Sequence, residues 1–297
     1  AMVDTGGMFV ALNDDEVAHG DRIKEACRVA GIPVTQITPE QALQAESQLS
    51  PDVKAAFLVP DGFIDGVELM RLNQQAALQA ETPATFLTNH TATAFHKEAD
   101  RITSVSVKNE VTGDVMQISC DYVINAAGVW AGRVAQLAHV PLDMIFDKGS
   151  MIVFKGQFSR VVLNRCRPES DGDLLVPQAG QSIMGTTARV ITDPDDCLPT
   201  QEEVDVLLAE GSELIPAMRT AEATRVYAGV RPLFGNSDVA GSSNTRAVSR
   251  SFRVLDHTGD GVENFISVIG GKVTLYRLMA EVAVDAMRTK THKVHST

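Results

Sequence analysis

The run Phe265-Ile266-Ser267-Val268-Ile269-Gly270-Gly271-Lys272-Val273-Thr274-Leu275-Tyr276-Arg277 sets an apolar strand, two glycines and a lysine ahead of a helical pattern. This spacing predicts backbone amides and a cation together at a helix N-terminus, where first-turn N–H groups and the positive end of the dipole attract negative charge. Lacking Cβ atoms, Gly270 and Gly271 let a flat ligand lie against the backbone. The competing reading is a Gly-Gly turn before an ordinary amphipathic helix. A second segment, Asp121-Tyr122-Val123-Ile124-Asn125-Ala126-Ala127-Gly128-Val129-Trp130-Ala131-Gly132, also runs from a short apolar strand into small residues and then a helix. Two such strand ends point to one ligand at the C-terminal edge of a sheet.

Further anion chemistry could come from arginines. In Gly229-Val230-Arg231-Pro232-Leu233, Pro232 forces Arg231 into extended backbone, and its guanidinium suits bidentate pairing with phosphate or carboxylate oxygens. The alternative for Arg231 is a surface ion pair on an acidic chain. Arg189, just after Ile183-Met184-Gly185-Thr186-Thr187, and Arg165 and Arg167 are weaker candidates with a structural role as the simpler reading. For Lys148-Gly149-Ser150 a plain loop is one of two equal readings, the other being a segment at the entry to a cap domain. Trp130, the only tryptophan, is expected to pack into the core. His19, His90, His96, His139 and His257 stand singly, none in a Ser/His/Asp or His-Glu-x-x-His arrangement, and are expected in solvated or capping roles. Cys27, Cys120, Cys166 and Cys197 show no metal-ligand spacing, so reduced structural thiols and no metal are expected.

Taken in order, these segments resemble the FAD-dependent glycerol-3-phosphate dehydrogenases of the D-amino-acid oxidase superfamily. Asn164-Arg165-Cys166-Arg167, Leu174-Leu175-Val176-Pro177 and Tyr276-Arg277-Leu278-Met279-Ala280-Glu281 bring the chain nearest to the branch formed by A subunits of the anaerobic dehydrogenases. The resemblance covers nearly the whole chain and implies FAD as cofactor, sn-glycerol 3-phosphate as substrate, dihydroxyacetone phosphate as product and electrons passed toward quinone. It also implies partner subunits in an anaerobic dehydrogenase complex and a cytoplasmic location, peripheral at the inner face of the cell membrane. Carried over residue by residue, it assigns the flavin to Ala127, Gly128, Trp130, Gly270, Gly271, Lys272, Val273 and Thr274. Catalysis falls to Lys272 and Arg231, and substrate contacts to Arg231, Lys272, Thr187 and Arg189. A related amine or 2-hydroxy-acid oxidoreductase would set its arginine against a carboxylate instead. A third reading is a non-catalytic fragment.

The family's opening strand, Gly-x-Gly-x-x-Gly turn and helix have no counterpart here. Gly259-Asp260-Gly261-Val262-Glu263-Asn264 lacks the third glycine, leads into a strand and reads as a loop. The expectation is therefore a fragment, without the dinucleotide-binding turn and the cysteine-rich iron–sulfur segment, that holds FAD weakly or not at all.

At 297 residues with 44% hydrophobic residues, the chain can bury substantial cores. A formal charge of −12 argues against nucleic-acid binding, which needs a basic face. No apolar run approaches the length of a membrane span and no signal peptide is expected. Local patterns alternate between strand and helix, predicting α/β architecture with an α+β cap. Helices are expected from Asn13 to Gly31 with Glu16 as cap partner, after Thr38-Pro39-Glu40-Gln41, from Asp65 with Glu68 through Met70, Asn73 and Ala77, and from Thr200-Gln201-Glu202-Glu203 to Pro216. Val105–Val107 and Met116–Cys120, joined through Thr112-Gly113, predict a hairpin. Together with the resemblance, the order predicts an incomplete FAD/NAD(P)-binding-type flavin domain (61–140 and 229–290) interleaved with a mixed-sheet substrate cap domain (1–60 and 141–228). Residues 291–297, with His292 and His295, form an unstructured tail.

Overall fold

A computed structural model describes residues 1–235, 246 and 250–294, the last four by backbone alone. The chain divides into two interleaved compact units. One comprises Ala1–Leu72, Lys148–Arg189 and Cys197–Gly229, the other Asn73–Asp147, Val190–Asp196 and Val230–Thr297. The expected joins after 60, 140 and 228 therefore fall after 72, 147 and 229, and 190–196 goes with the second unit. Pairing explains the first shift: β1 (Met2–Asp4) and β5 (Gly62–Ile64) form an antiparallel pair.

The first unit is built on a mixed sheet. Parallel pairing joins β2 (Gly7–Ala11) to β11 (Val162–Arg165), while β4 (Ala55–Val59), β3 (Thr35–Ile37), β12 (Leu174–Gln178) and β13 (Gln181–Gly185) add antiparallel neighbours. The same sheet includes β14 (Arg189–Ile191), β10 (Met144–Lys155) and β15 (Ala223–Phe234), each of which supplies residues to both units. Side-chain caps set the helices. Asn13 accepts the Glu16 amide at the start of α1 (Asp14–Ala30), which ends on left-handed Gly31. Capping boxes start α2 (Pro39–Ala45) at Thr38 and Gln41, and α5 (Gln201–Leu214) at Thr200 and Glu203. Met8, Val10, Ile152, Phe154, Leu163 and Met184 of the strands and Leu207 and Leu214 of α5 share one core. α3 (Gly66–Leu78) forms as the sequence predicts, with Asp65 Oδ1 accepting the Glu68 amide, yet it buries none of its residues.

In the second unit β6 (His90–Glu98), β7 (Arg101–Asn109) and β8 (Val115–Ser119) make a meander; the expected hairpin is its second half. A separate three-stranded sheet runs in the order β16 (Phe252–Asp256), β17 (Phe265–Gly270), β9 (Val123–Asn125). Asn264, 1% exposed, ties the two together as a backbone mimic: its Oδ1 accepts the Ile102 amide at 2.8 Å and its Nδ2 donates to Ile102 O and Asp121 O at 2.7 and 2.8 Å. Ile102, Ala135, Val140, Val262 and Phe265 form the core beneath, with α4 (Ala131–Gln136) contributing Ala135. The final helix, α6 (Tyr276–Val294), carries His292, so the expected tail is helical that far; His295 lies outside the described residues. All four cysteines are free, and burial, helped by Glu16 and Asp21, pushes the Cys166 thiol up to about 12. Among the described residues no helix is long and apolar enough to cross a membrane and no cluster could hold a metal.

For Lys148 the plain-loop reading falls. It sits within β10, not in a loop, and its ammonium pairs with Glu203 at 3.0 Å, the two side chains 7% and 1% exposed. Burial alone would raise the Glu203 carboxyl. Hydrogen bonds from the Thr200 amide, Lys148 and Thr187 outweigh that and lower it from 4.5 to about 2. Since the folded value lies below the unfolded one, the stabilisation is complete above the ordinary carboxylate range and is lost as pH falls towards 2. Lys148→Met should cost about 3 to 5 kcal/mol in urea titrations at pH 7, because it strands a buried carboxylate. The gap between wild type and Glu203→Gln should narrow between pH 4.5 and 2; a constant gap would deny Glu203 its charge-dependent role.

Candidate functional site

Within the second unit, β9 and β17 run parallel with Val123 opposite Phe265, Ile124 opposite Ile266 and Asn125 opposite Ser267. Strands in that register deliver their succeeding residues to one sheet edge, so the turn Ala126-Ala127-Gly128 and the pair Gly270-Gly271 emerge together. Gly128 is left-handed (φ 58°) and opens a 3-10 turn, Gly128–Trp130, that leads into α4. A Cβ there would meet nothing within 4 Å. Gly270 and Gly271 have φ 77° and 83°, and Cβ atoms on them would lie 2.6 Å from Ser251 O and 2.6 Å from Met279 Sδ. Both glycines are thus demanded by backbone conformation and by the chain packed against them. The helix start expected at Gly271 to Thr274 is resolved as extended Lys272 and a 3-10 turn, Val273–Leu275, that flows into α6. Among the described residues no side chain caps this end. Ile124, Ala126, Val268, Gly271, Val273 and Tyr276 are among the walls of an adjoining, largely apolar cavity of about 470 Å3.

Arg231 belongs to the same unit. It lies on β15 in the extended form that Pro232 dictates, and Pro232 O is 3.6 Å from a Cβ position on Gly270, which brings the arginine's strand to the glycine pair. The Arg231 guanidinium, 25% exposed, donates to Asp147 Oδ2 at 2.8 Å, and Asp147 is fully buried. The alternative foreseen for Arg231, an ion pair, is therefore present, with its acidic partner buried.

Trp130 is 48% exposed, against the expected core position. A hydrogen bond holds it outward: its Nε1 donates to Asp195 Oδ1 at 2.8 Å, while Arg133 spans Asp195 at 2.6 Å and Asp193 at 2.8 Å. The Trp130 indole, and then Arg133, keep the Asp195 carboxyl below its ordinary value.

The remaining candidates lie in the first unit. Thr187 is fully buried; its hydroxyl accepts the Ser150 amide at 2.9 Å and donates to Glu203 at 2.8 Å. Arg189 donates to Asp171 Oδ2 at 2.8 Å, and its pKa is raised chiefly by that bond. Arg165, 4% exposed, bonds Glu16 and Glu213, and Arg167 bonds Asp173 and Glu210, as the structural reading of both predicts.

One constellation escaped the sequence. His257 Nδ1 lies 2.8 Å from Asp260 Oδ2 and His257 Nε2 2.9 Å from Ser267 Oγ, a Ser/His/Asp line where none was expected. Ser267 is fully buried and His257 2% exposed, so no substrate reaches the hydroxyl. The signal available beforehand was a lone serine inside the apolar strand Phe265–Ile269, since a buried hydroxyl needs partners.

The family model for FAD dependent oxidoreductases matches residues 2–277. The chain is 38% identical to the A subunit of anaerobic glycerol-3-phosphate dehydrogenase from Escherichia coli K12 over 96% of its own length, and 35% identical to the A1 subunit of the Haloferax volcanii enzyme of the same name over 95%. It spans about half of each relative, 52% and 49% respectively. Among solved structures it is similar to L-α-glycerophosphate oxidase of Mycoplasma pneumoniae (TM-score 0.75, 19% identity) and glycine oxidase of Bacillus cereus (TM-score 0.76, 18% identity). Each match covers 97% of this chain and 73% of the other. At such identities the structural likeness speaks for the fold alone, a mixed α/β flavoenzyme architecture. With a match running through both units and this level of identity to members, the chain belongs to the FAD dependent oxidoreductase family.

Proposed function

We propose that this chain carries the flavin-contacting edge and substrate-binding groups of an FAD-dependent dehydrogenase that oxidises sn-glycerol 3-phosphate to dihydroxyacetone phosphate and sends electrons toward quinone. The observation that carries this reading is 38% identity over 96% of the chain to a protein named for that substrate. Partner subunits follow from the same reading, because such relatives are named as subunits; a cytoplasmic place, peripheral at the inner face of the cell membrane, is part of the same proposal.

The residues present fit the ring end of FAD. Small residues at Ala126, Ala127 and Gly128 and an apolar wall suit a planar ring, and the α6 end without a side-chain cap suits an anion. When bound, FAD supplies the acceptor for hydride from the alcohol carbon. Lys272 and the amides of Val273 and Thr274 then stabilise negative charge by fixed electrostatics, as donors in an oxyanion hole do. Arg231 holds the substrate phosphate. Its link to buried Asp147 fixes the guanidinium plane in advance, so little side-chain freedom is lost on binding. Thr187, whose hydroxyl is engaged by Glu203, supports its strand end in this reading, and Arg189 acts by charge with Asp171 as its anchor.

In the complete enzyme, Arg231→Ala should reduce kcat/KM for glycerol 3-phosphate by about 2 to 4 kcal/mol, with lysine recovering only part. Glycerol, a poor substrate without the phosphate, should be penalised far less. Equal losses for both would move Arg231 from the substrate to the fold and favour a carboxylate substrate. Lys272→Ala should slow flavin reduction by about 3 kcal/mol of barrier and lower the flavin midpoint potential; stopped-flow traces and potentials equal to wild type would exclude Lys272 from the chemistry. Gly271→Ala, which drives a Cβ to 2.6 Å from Met279 Sδ at φ 83°, should abolish flavin retention on gel filtration while Gly259→Ala, with nothing within 4 Å, retains it.

A further inference from the structure

Beside the flavin-facing edge, a chain of polar groups crosses the second unit, joined end to end by hydrogen bonds. Asn125, 3% exposed, is oriented by Ala127, whose amide donates to Asn125 Oδ1 at 3.3 Å. Both protons of its Nδ2 are then used: one goes to Ala131 O at 2.8 Å and one to Ser267 Oγ at 3.1 Å. Ser267 Oγ accepts from Asn125, and donating its own proton to its other partner, His257 Nε2, at 2.9 Å leaves neither the hydroxyl proton nor that nitrogen unmatched. In that arrangement Nε2 is bare, and the ring proton sits on Nδ1 and is donated to Asp260 Oδ2 at 2.8 Å. The ring also stacks on Phe265 with centroids 4.9 Å apart, which fixes its plane. Asp260 is 46% exposed and forms the solvent end; the backbone of the Ala126-Ala127-Gly128 turn and the start of α4 form the other.

We propose that His257, Ser267 and Asn125 are positioning residues: a one-directional relay that locks the small-residue turn after β9 onto β17, and so sets how that turn meets the flavin. The inference rests on the reading that this turn borders the flavin. Each link contributes what the next requires. The serine hydroxyl has two partners, and accepting from Asn125 while donating to His257 is the direction that also matches its own proton. The asparagine grips both the turn at Ala127 N and the first residue of α4 at Ala131 O. An apolar strand that buries Ser267 completely would otherwise leave its hydroxyl unmatched away from solvent, which is costly.

His257 and Asn125 do not bond each other, so any coupling between them passes through Ser267. In the complete protein, His257→Gln and Asn125→Ala should each raise the dissociation constant for FAD about tenfold. The double variant should be little worse than either single one, and neither change should add to Ser267→Ala. The Ala127 amide, followed by hydrogen exchange in flavin-free protein, should lose protection with the same non-additive pattern, and Ser267→Cys should recover part of it. Ring-nitrogen NMR of the flavin-free wild type should find the proton on Nδ1. Additive effects, a proton on Nε2 or an Ala127 exchange rate equal to wild type in all three variants would overturn the relay. Coupled exchange with unchanged FAD affinity would overturn the positioning role by removing the flavin from this turn, a failure of the functional reading that the exchange data would separate from failure of the relay.

Discussion

The parallel register of β9 on β17 is the constraint on which the second unit depends. Asn125 faces Ser267, so the residue that grips the Ala126–Gly128 turn and the strand that ends in Gly270-Gly271 are aligned by backbone pairing before any side chain acts. A slip by one residue would invert every side chain on β9, expose Asn125 and break its contacts to Ala127 and Ala131. Placement of the glycine pair, the helix end behind it and the small-residue turn therefore follows from one set of ladder bonds, and Asn264 adds the tie to the meander.

Arg231 and Lys148 show two uses of a cation beside a buried carboxylate. Lys148 and Glu203 are both out of solvent and each supplies what the other needs, so the pair belongs to the core. Arg231 keeps a quarter of its side chain exposed while Asp147 is fully buried. That guanidinium is anchored on a buried acid and still reaches the surface.

Much of the fold was legible because its signals are local. Asn13 with Glu16, Thr38 with Gln41 and Thr200 with Glu203 each announce a helix within four residues, and all three caps are made. Gly270-Gly271 and Ala126–Gly128 were legible for the same reason, as strand-to-helix turns with small residues. The features that stayed hidden depend on partners distant in sequence. Nothing near Trp130 reveals that Asp195 draws it outward, and nothing near Lys148 reveals Glu203 as its counter-ion. Ser267 and His257 are only ten residues apart, but their meeting requires β16 to β17 to fold back through a 3-10 turn at His257–Asp260. Composition likewise placed no limit on α3, whose apolar residues Val67 and Met70 are 74% and 67% exposed.

The interleaving of the two units has a bearing on how the chain acquires its structure. The contact between Asn125 and Ser267 closes a separation of 142 residues, and β2 pairs with β11 far along the chain. On a ribosome that releases the N-terminus first, β9 emerges long before its partner and must wait with one apolar strand unpaired. Neither unit can finish early, because each receives a late segment: Cys197–Gly229 for one and Val230 onward for the other. Such long-range closure slows the search for native contacts and prolongs the exposure of sticky edges. Protection during synthesis, whether by chaperones or by slow translation, therefore matters more for this architecture than for one whose domains follow in succession.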